Sequence, residues 1–214
     1  MKLFRLLIIL IIVQSCIKRG DNTPVITGQY DEGFHYHIFS PGKELELEWD
    51  SLQVGAGLDS IDVDLDGRFD ITIIQVNNQS PDYDGRHSRP LSGYKLLLKN
   101  NVEVAMVIEE YYIGLGSTSE MKWVETISLN TDIKNLNCWS GEKKNESITN
   151  HIFMWSDNPE ALLSTGPWSM LTNTEKFIGL RIKDENNRDF KYGWLKARVI
   201  TKNQIIFESC AIEK

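Results

Sequence analysis

The most specific chemistry in this chain lies in one short segment, Asp62-Val-Asp-Leu-Asp-Gly-Arg-Phe-Asp70. Carboxylates stand at loop positions one, three, five and nine (Asp62, Asp64, Asp66 and Asp70), with Gly67 at position six. Such spacing lets alternate side chains converge while glycine allows a sharp turn, and Ca2+ takes roughly six to eight oxygens of this kind. The backbone carbonyl of Arg68, at position seven, completes the candidate ligand set. The helix–loop–helix form of such a site needs a bidentate Glu at position twelve. Ile73 stands there, which excludes it. The competing reading is an acidic turn without an ion. Four carboxylates so close together raise one another's pKa unless they are exposed or neutralised, and a cation would remove that cost. An ion here would hold the turn rather than catalyse.

A second constellation is aromatic. Lys176 to Lys183 and Phe190 to Val199 read as an antiparallel hairpin around the turn Asp184 to Asp189. Pairing Lys183 with Phe190 sets Arg181 opposite Tyr192 and Gly179 opposite Trp194, with Leu180 opposite Gly193 and Ile178 opposite Leu195. Strand residues alternate sides, so Ile178, Leu180, Ile182, Leu195, Ala197 and Val199 form the core face. The other face would stack Arg181 on Tyr192 and lay Trp194 over Gly179. Tyr192, Trp194 and Arg181 are then a candidate glycan platform, or a layer packed beneath a loop.

Other reactive residues are sparse. His35 and His37 share one face of a predicted strand but lack a third ligand nearby. No Ser, Thr or Cys sits in a nucleophile elbow, and no glycine-rich loop precedes a helix. The catalytic set is therefore empty. Two carboxylates of a glycoside hydrolase would be recognised only in the fold.

The elements that must position these residues are strands. Phe34–Phe39 and Glu44–Trp49 alternate with period two, and 70–76, 94–98 and 102–108 are rich in β-formers. Further strands are expected at 123–129, 151–155, 176–183, 190–200 and 204–212. Turn clusters separate many of them, such as Asp82-Tyr-Asp-Gly85 and Lys99-Asn-Asn101. Residues 130–150 and 156–175 read as loop or short helix. Many short strands with turn signals predict an all-β, antiparallel, jelly-roll-like β-sandwich in one domain, residues 25–214.

The amino terminus has a different character. Lys2 and Arg5 precede the apolar run Leu6–Val13, which is shorter than the roughly 20 residues a spanning helix needs. This is a secretory leader, residues 1–15. Val13-Gln14-Ser15-Cys16 resembles the bacterial lipobox, which implies cleavage before Cys16 and a lipid on its thiol. Residues 16–24 are then the lipidated cysteine and a polar tether. Ile17 in place of an acidic residue favours the outer membrane, with the periplasmic side favoured over the cell surface. Removing Lys2 and Arg5 takes the 23 basic residues to 21 against 30 acidic ones, a net charge of −9. A surface so acidic, without a basic stripe, does not suit nucleic acid. Lipidation would leave Cys138 and Cys210 as an even pair in a compartment that permits disulfides. A bridge would close a loop of about seventy residues and contribute about 4 kcal/mol. Two buried free thiols are the alternative.

Three stretches together carry a family resemblance. Phe177-Ile-Gly-Leu-Arg181, then Tyr192-Gly-Trp-Leu195, then a last strand ending Cys210-Ala-Ile-Glu213 resemble a motif of bacterial secreted and lipoprotein β-sandwich modules. Those modules often carry an acidic loop upstream like Asp62–Asp70. Lys191 and Cys210 depart from the pattern, and the middle of the chain is unmatched. The resemblance implies a β-sandwich outside the cytoplasm and brings no activity. Together these readings favour a membrane-anchored envelope module that binds or supports a protein or glycan, with a structural calcium loop. A carbohydrate-active enzyme or glycan-binding module is the alternative.

Overall fold

The structure is a computed structural model. It describes residues 23–46, 57–81, 88–99, 101–114, 117–141, 151–157, 164–165, 167–168, 171–184, 189–201 and 204–214. The expected leader, Cys16 and the expected tether as far as Asn22 lie outside these residues. So do residues 47–49 of one expected strand and the expected turn at 82–85.

The chain is all-β. Its strands are β1 (Phe34–Glu46), β2 (Gly57–Ile61), β3 (Ile71–Pro81), β4 (Ser88–Leu98), β5 (Val102–Val104) and β6 (Met106–Gly114). They continue with β7 (Ser117–Val124), β8 (His151–Asp157), β9 (Ser164–Thr165), β10 (Thr174–Lys183), β11 (Phe190–Thr201) and β12 (Gln204–Glu213). One sheet runs β1-β12-β11-β10-β5. The other runs β2-β3-β4-β8-β7-β6, with β9 on β8. Neighbours are antiparallel except β7 and β8, which meet in parallel at Trp123 and Ile152. The two sheets share one apolar core, filled by Ile71, Ile73, Tyr94 and Leu96 from one side and Ile178, Leu180, Leu195 and Phe207 from the other.

The expected strand 102–108 is broken at Ala105, because the chain there changes sheets. Ala105 N–H donates to Gly179 O of the five-stranded sheet, while Ala105 O accepts from Glu125 N–H just beyond β7. β5 therefore belongs to one sheet and β6 to the other. A single small, fully buried residue makes the corner.

The β10–β11 hairpin has the predicted register. Lys183 faces Phe190, Arg181 faces Tyr192, Leu180 faces Gly193, Gly179 faces Trp194 and Ile178 faces Leu195. All six residues of the expected core face lie in the main core. In β12 the alternation changes phase. Phe207 pairs with Ala197 while Ser209 pairs with Lys196, so Glu208 is the extra residue of a bulge. That insertion turns both Phe207 and Cys210 inward, although an odd number of steps along the strand separates them.

The five-stranded sheet is covered on its second face as well. Val25, Ile127, Ile133 and Trp139 pack there against Phe34, Phe177, Trp194 and Ala211. A 3-10 turn, Ile133–Asn135, stands where loop or short helix was expected. Asp132 ties this cover together: one carboxylate oxygen accepts from Val25 N–H (3.0 Å) and Lys134 N–H (3.1 Å), the other from Asn135 Nδ2 (2.8 Å). These bonds satisfy backbone groups that burial would otherwise leave unpaired.

Burial on both faces makes the hairpin glycines unequal. A Cβ on Gly193 would lie 2.1 Å from the Ala211 carbonyl oxygen, and backbone there has no room to yield. On Gly179 the nearest atom is the Ile127 Cδ1 tip at 2.9 Å, which can move, while Ala105 Cβ and Leu136 Cδ1 at 3.1 Å need give by only a few tenths of an ångström. Gly193→Ala is expected to cost about 3 kcal/mol or more and Gly179→Ala about 1 kcal/mol, by the usual scale of overpacking. Urea unfolding of the two variants checks the order.

Candidate metal centre

The acidic loop connects β2 to β3, and its two ends are pinned before any ion is considered. Asp70 N–H donates to Ile61 O (2.8 Å), and Asp70 Oδ2 accepts from Val63 N–H (2.9 Å). Between these ends the carboxylates fold the backbone back on itself. Asp62 accepts from the N–H groups of Asp66 (3.2 Å) and Gly67 (2.8 Å), and Asp64 also accepts from Asp66 N–H (3.1 Å). Gly67 takes φ +86°, the left-handed region that suits glycine. Leu65 enters that region too, at φ +62°, where a Cβ is unfavourable.

The result brings one carboxylate oxygen each from Asp62, Asp64 and Asp70 within 4.8 Å of one another, a group that could hold a metal ion. Asp66 stands outside this group of side chains. The Asp66 carboxylate instead accepts from Arg68 N–H (2.8 Å) and lies 4.0 Å from Lys99 Nζ. Arg68 is exposed. Of the four expected side-chain ligands, then, the structure gathers positions one, three and nine.

Asp70 is the unusual member. Only 2% of it is exposed, and burial raises its pKa, with Asp64 adding to the rise. The Val63 N–H and Lys99 oppose that shift. Lys99 Nζ stands 3.4 Å from Asp70 Oδ1, and Lys99 N–H donates to Asp70 O (2.9 Å). Lys99 sits just after β4, and nothing in its local sequence signals this role. The loop's field also reaches the core: burial foremost, then Asp62 and Asp70, push the Cys210 thiol up to about 12.

Cys138 and Cys210 are not joined to each other, so the possible bridge between them is not formed. Cys210 is buried in the core, and Cys138 packs against the same cluster half-buried. They contribute as small apolar side chains.

The aromatic set is an interior layer rather than an open platform. Trp194 is 2% exposed, makes an edge contact with Phe177 (5.4 Å) and donates Nε1–H to Gln29 O (3.3 Å). Arg181 was expected on Tyr192. Its guanidinium instead lies over Trp139 (4.6 Å) and Phe190 (4.2 Å), and its Nε donates to Glu103 Oε2 (2.7 Å). Tyr192 receives Lys134 over its ring (5.4 Å) and the edge of Trp139 (5.9 Å). Gly179 is closed off by Ile127, Ala105 and Leu136. Sequence reasoning found the hairpin face but not its cover, because the covering residues, from Val25 to Trp139, stand far from the hairpin in the chain. His35 is half-buried and His37 exposed, and neither enters a metal-holding group among the described residues.

The raised pKa of Asp70 fixes a sign. The folded state holds this proton more tightly than the unfolded chain. The stabilising effect of the neutral carboxyl is present below the ordinary carboxylate range, near pH 4, and is lost as pH rises through the raised value. Asp70→Asn keeps an acceptor for Val63 and stays neutral at every pH. In chelator, the stability of the parent relative to this variant should therefore fall with rising pH across that window. Guanidinium unfolding at a series of pH values measures it.

No protein-family profile matches the chain, and neither curated proteins nor solved structures yield a match.

Proposed function

We propose that this chain is a non-catalytic module of the bacterial envelope, anchored to the membrane by lipid on Cys16 and braced by a structural calcium ion in the Asp62–Asp70 loop. One observation carries the reading of the loop: three carboxylates converge there, and one of them is buried. A buried carboxylate demands a counter-charge, and Lys99 reaches it only at 3.4 Å. The donor set holds oxygen and neither imidazole nor thiolate, which suits a hard cation rather than zinc or copper. Ca2+ accepts the irregular geometry of a flexible loop, whereas Mg2+ demands a near-ideal octahedron. Backbone carbonyls, that of Arg68 among them, would complete the shell.

The anchor rests on the residues at the amino terminus. Several acyl chains on one cysteine would hold the module stably, since each buried methylene adds about 0.8 kcal/mol. No helix among the described residues is long and apolar enough to cross a membrane. The module's place is the outer membrane, on its periplasmic side, and its partner is a protein or glycan of the envelope. Nucleic acid is not a partner, for the acidity already given. The enzymatic alternative lacks a specific observation in its favour.

Two measurements test the proposal. Calcium at one hundred times its dissociation constant should stabilise the domain by about 2.7 kcal/mol, several degrees in the melting temperature. Asp62→Asn/Asp64→Asn should abolish that response, and coincident melts of parent and variant with and without calcium would refute the site. For the anchor, cells fed labelled palmitate should label the parent and not Cys16→Ser, and the variant should leave the membrane fraction. Equal membrane retention of both would refute it.

A further inference from the structure

A groove of about 220 Å3 opens where the chain enters the domain, lined by Pro24, Ile26, Gln29, Tyr30, Asp31 and Phe34. Its most telling residue is Tyr30, which leaves half of its surface in solvent. An exposed tyrosine ordinarily turns freely, but this one is held. Its ring lies parallel to Tyr36 at 3.6 Å between centroids, 12° between planes. Tyr36 in turn tilts against the buried Trp194 at 6.1 Å. The exposed ring is thus the surface end of an aromatic column rooted in the interior.

The backbone before Tyr30 is equally fixed. Gln29 N–H closes a turn onto Ile26 O (3.1 Å), with Gly28 at φ +79°. Thr27 N–H donates to Thr131 O (3.0 Å), and its hydroxyl donates to Ser128 O (2.7 Å). The same hydroxyl accepts from Thr131 N–H (2.9 Å). Trp194 Nε1–H then holds Gln29 O. A rigid aromatic face loses little entropy when a ligand stacks on it. Beside that face stand Gln29, whose Nε2 donates to Asn130 Oδ1 (3.2 Å), and Asp31, whose Oδ1 accepts from Gly33 N–H (2.7 Å). An amide and a carboxylate each carry more than one hydrogen-bonding site, so both suit hydroxyl groups alongside those bonds.

We propose that this groove binds a single neutral pyranose ring of a glycan, its apolar face on Tyr30 and its hydroxyls on Gln29 and Asp31. The volume lies below the range of about 300 Å3 and more typical of larger ligands, which limits the site to one ring. Asp31 lines the groove and disfavours an acidic sugar through like charge. This inference rests on the reading of the chain as a binding module and is independent of the acidic loop.

The test is saturation-transfer NMR on the full-length chain in a detergent without sugar. Chelator is kept present so that the calcium proposal is not engaged. The probes are the methyl glycosides of glucose, galactose and mannose, with methyl glucuronide as the acidic comparison. At least one neutral probe should receive saturation on its ring protons. Tyr30→Ala should weaken it about five-fold or more, on the scale of one aromatic contact, and Tyr30→Phe should stay within about two-fold, since the ring is retained. Phe69→Ala, exposed on the acidic loop, should bind as the parent does. The proposal is overturned if no neutral probe binds, if the glucuronide alone binds, or if Tyr30→Ala binds as tightly as the parent. Should Tyr30→Ala fail to fold, Tyr30→Trp takes its place. Retained binding supports the platform, and loss of binding overturns it.

Discussion

At Ala105 the backbone gives its N–H to one sheet and its carbonyl to the other, and the sandwich is built around that corner. Backbone polar groups inside a protein must be paired, so a fully buried residue that changes sheets has to find a partner in each. Gly179 and Glu125 supply them. Gly179 can do so because it lacks a side chain: Ala105 Cβ already stands 3.1 Å from where its Cβ would lie. One close approach thus joins the β5–β6 crossing to the centre of the β10–β11 hairpin. It also seats Trp139, which bridges to Ala105 and covers Arg181.

Two-sided burial of the five-stranded sheet follows from that arrangement. Its inner face meets the second sheet, while its outer face meets the segments around Val25 and Ile133. Charged groups on the outer face survive burial by pairing. Arg181 is sandwiched between aromatic rings and bonded to Glu103, and Lys134 meets Glu213 at 3.1 Å. Glu213 Oε2 also accepts from Tyr192 N–H (3.0 Å). Pairs this enclosed add little net stability but are costly to break, because the survivor is left desolvated. Both the aromatic column beneath Tyr30 and the cover over Trp194 depend on this layer.

The acidic loop obeys a different balance. Its local hydrogen bonds shape the turn, yet shaping it sets like charges together and buries one of them. Burial and Asp64 raise the Asp70 carboxyl, whereas Lys99 and the Val63 N–H pull it back. The neighbouring Cys210 thiol registers the same field from inside the core. A cation among these carboxylates would act on both groups at once.

The hairpin register was legible from the residues alone, because period-two alternation and a single starting pair, Lys183 with Phe190, determine every other pair. The all-β class and most strand positions were legible for the same reason, as was the acidic loop, whose spacing is local. Tertiary structure decided what local patterns cannot encode. The break at Ala105 carries no Gly or Pro signal and arises only because two sheets compete for one residue's backbone. The bulge at Glu208 decides that Cys210 faces inward. Whether Trp194 displays its ring or hides it depended on residues from Val25 to Trp139, far away in the chain. Alternation states which side chains share a face; only packing states whether that face meets water.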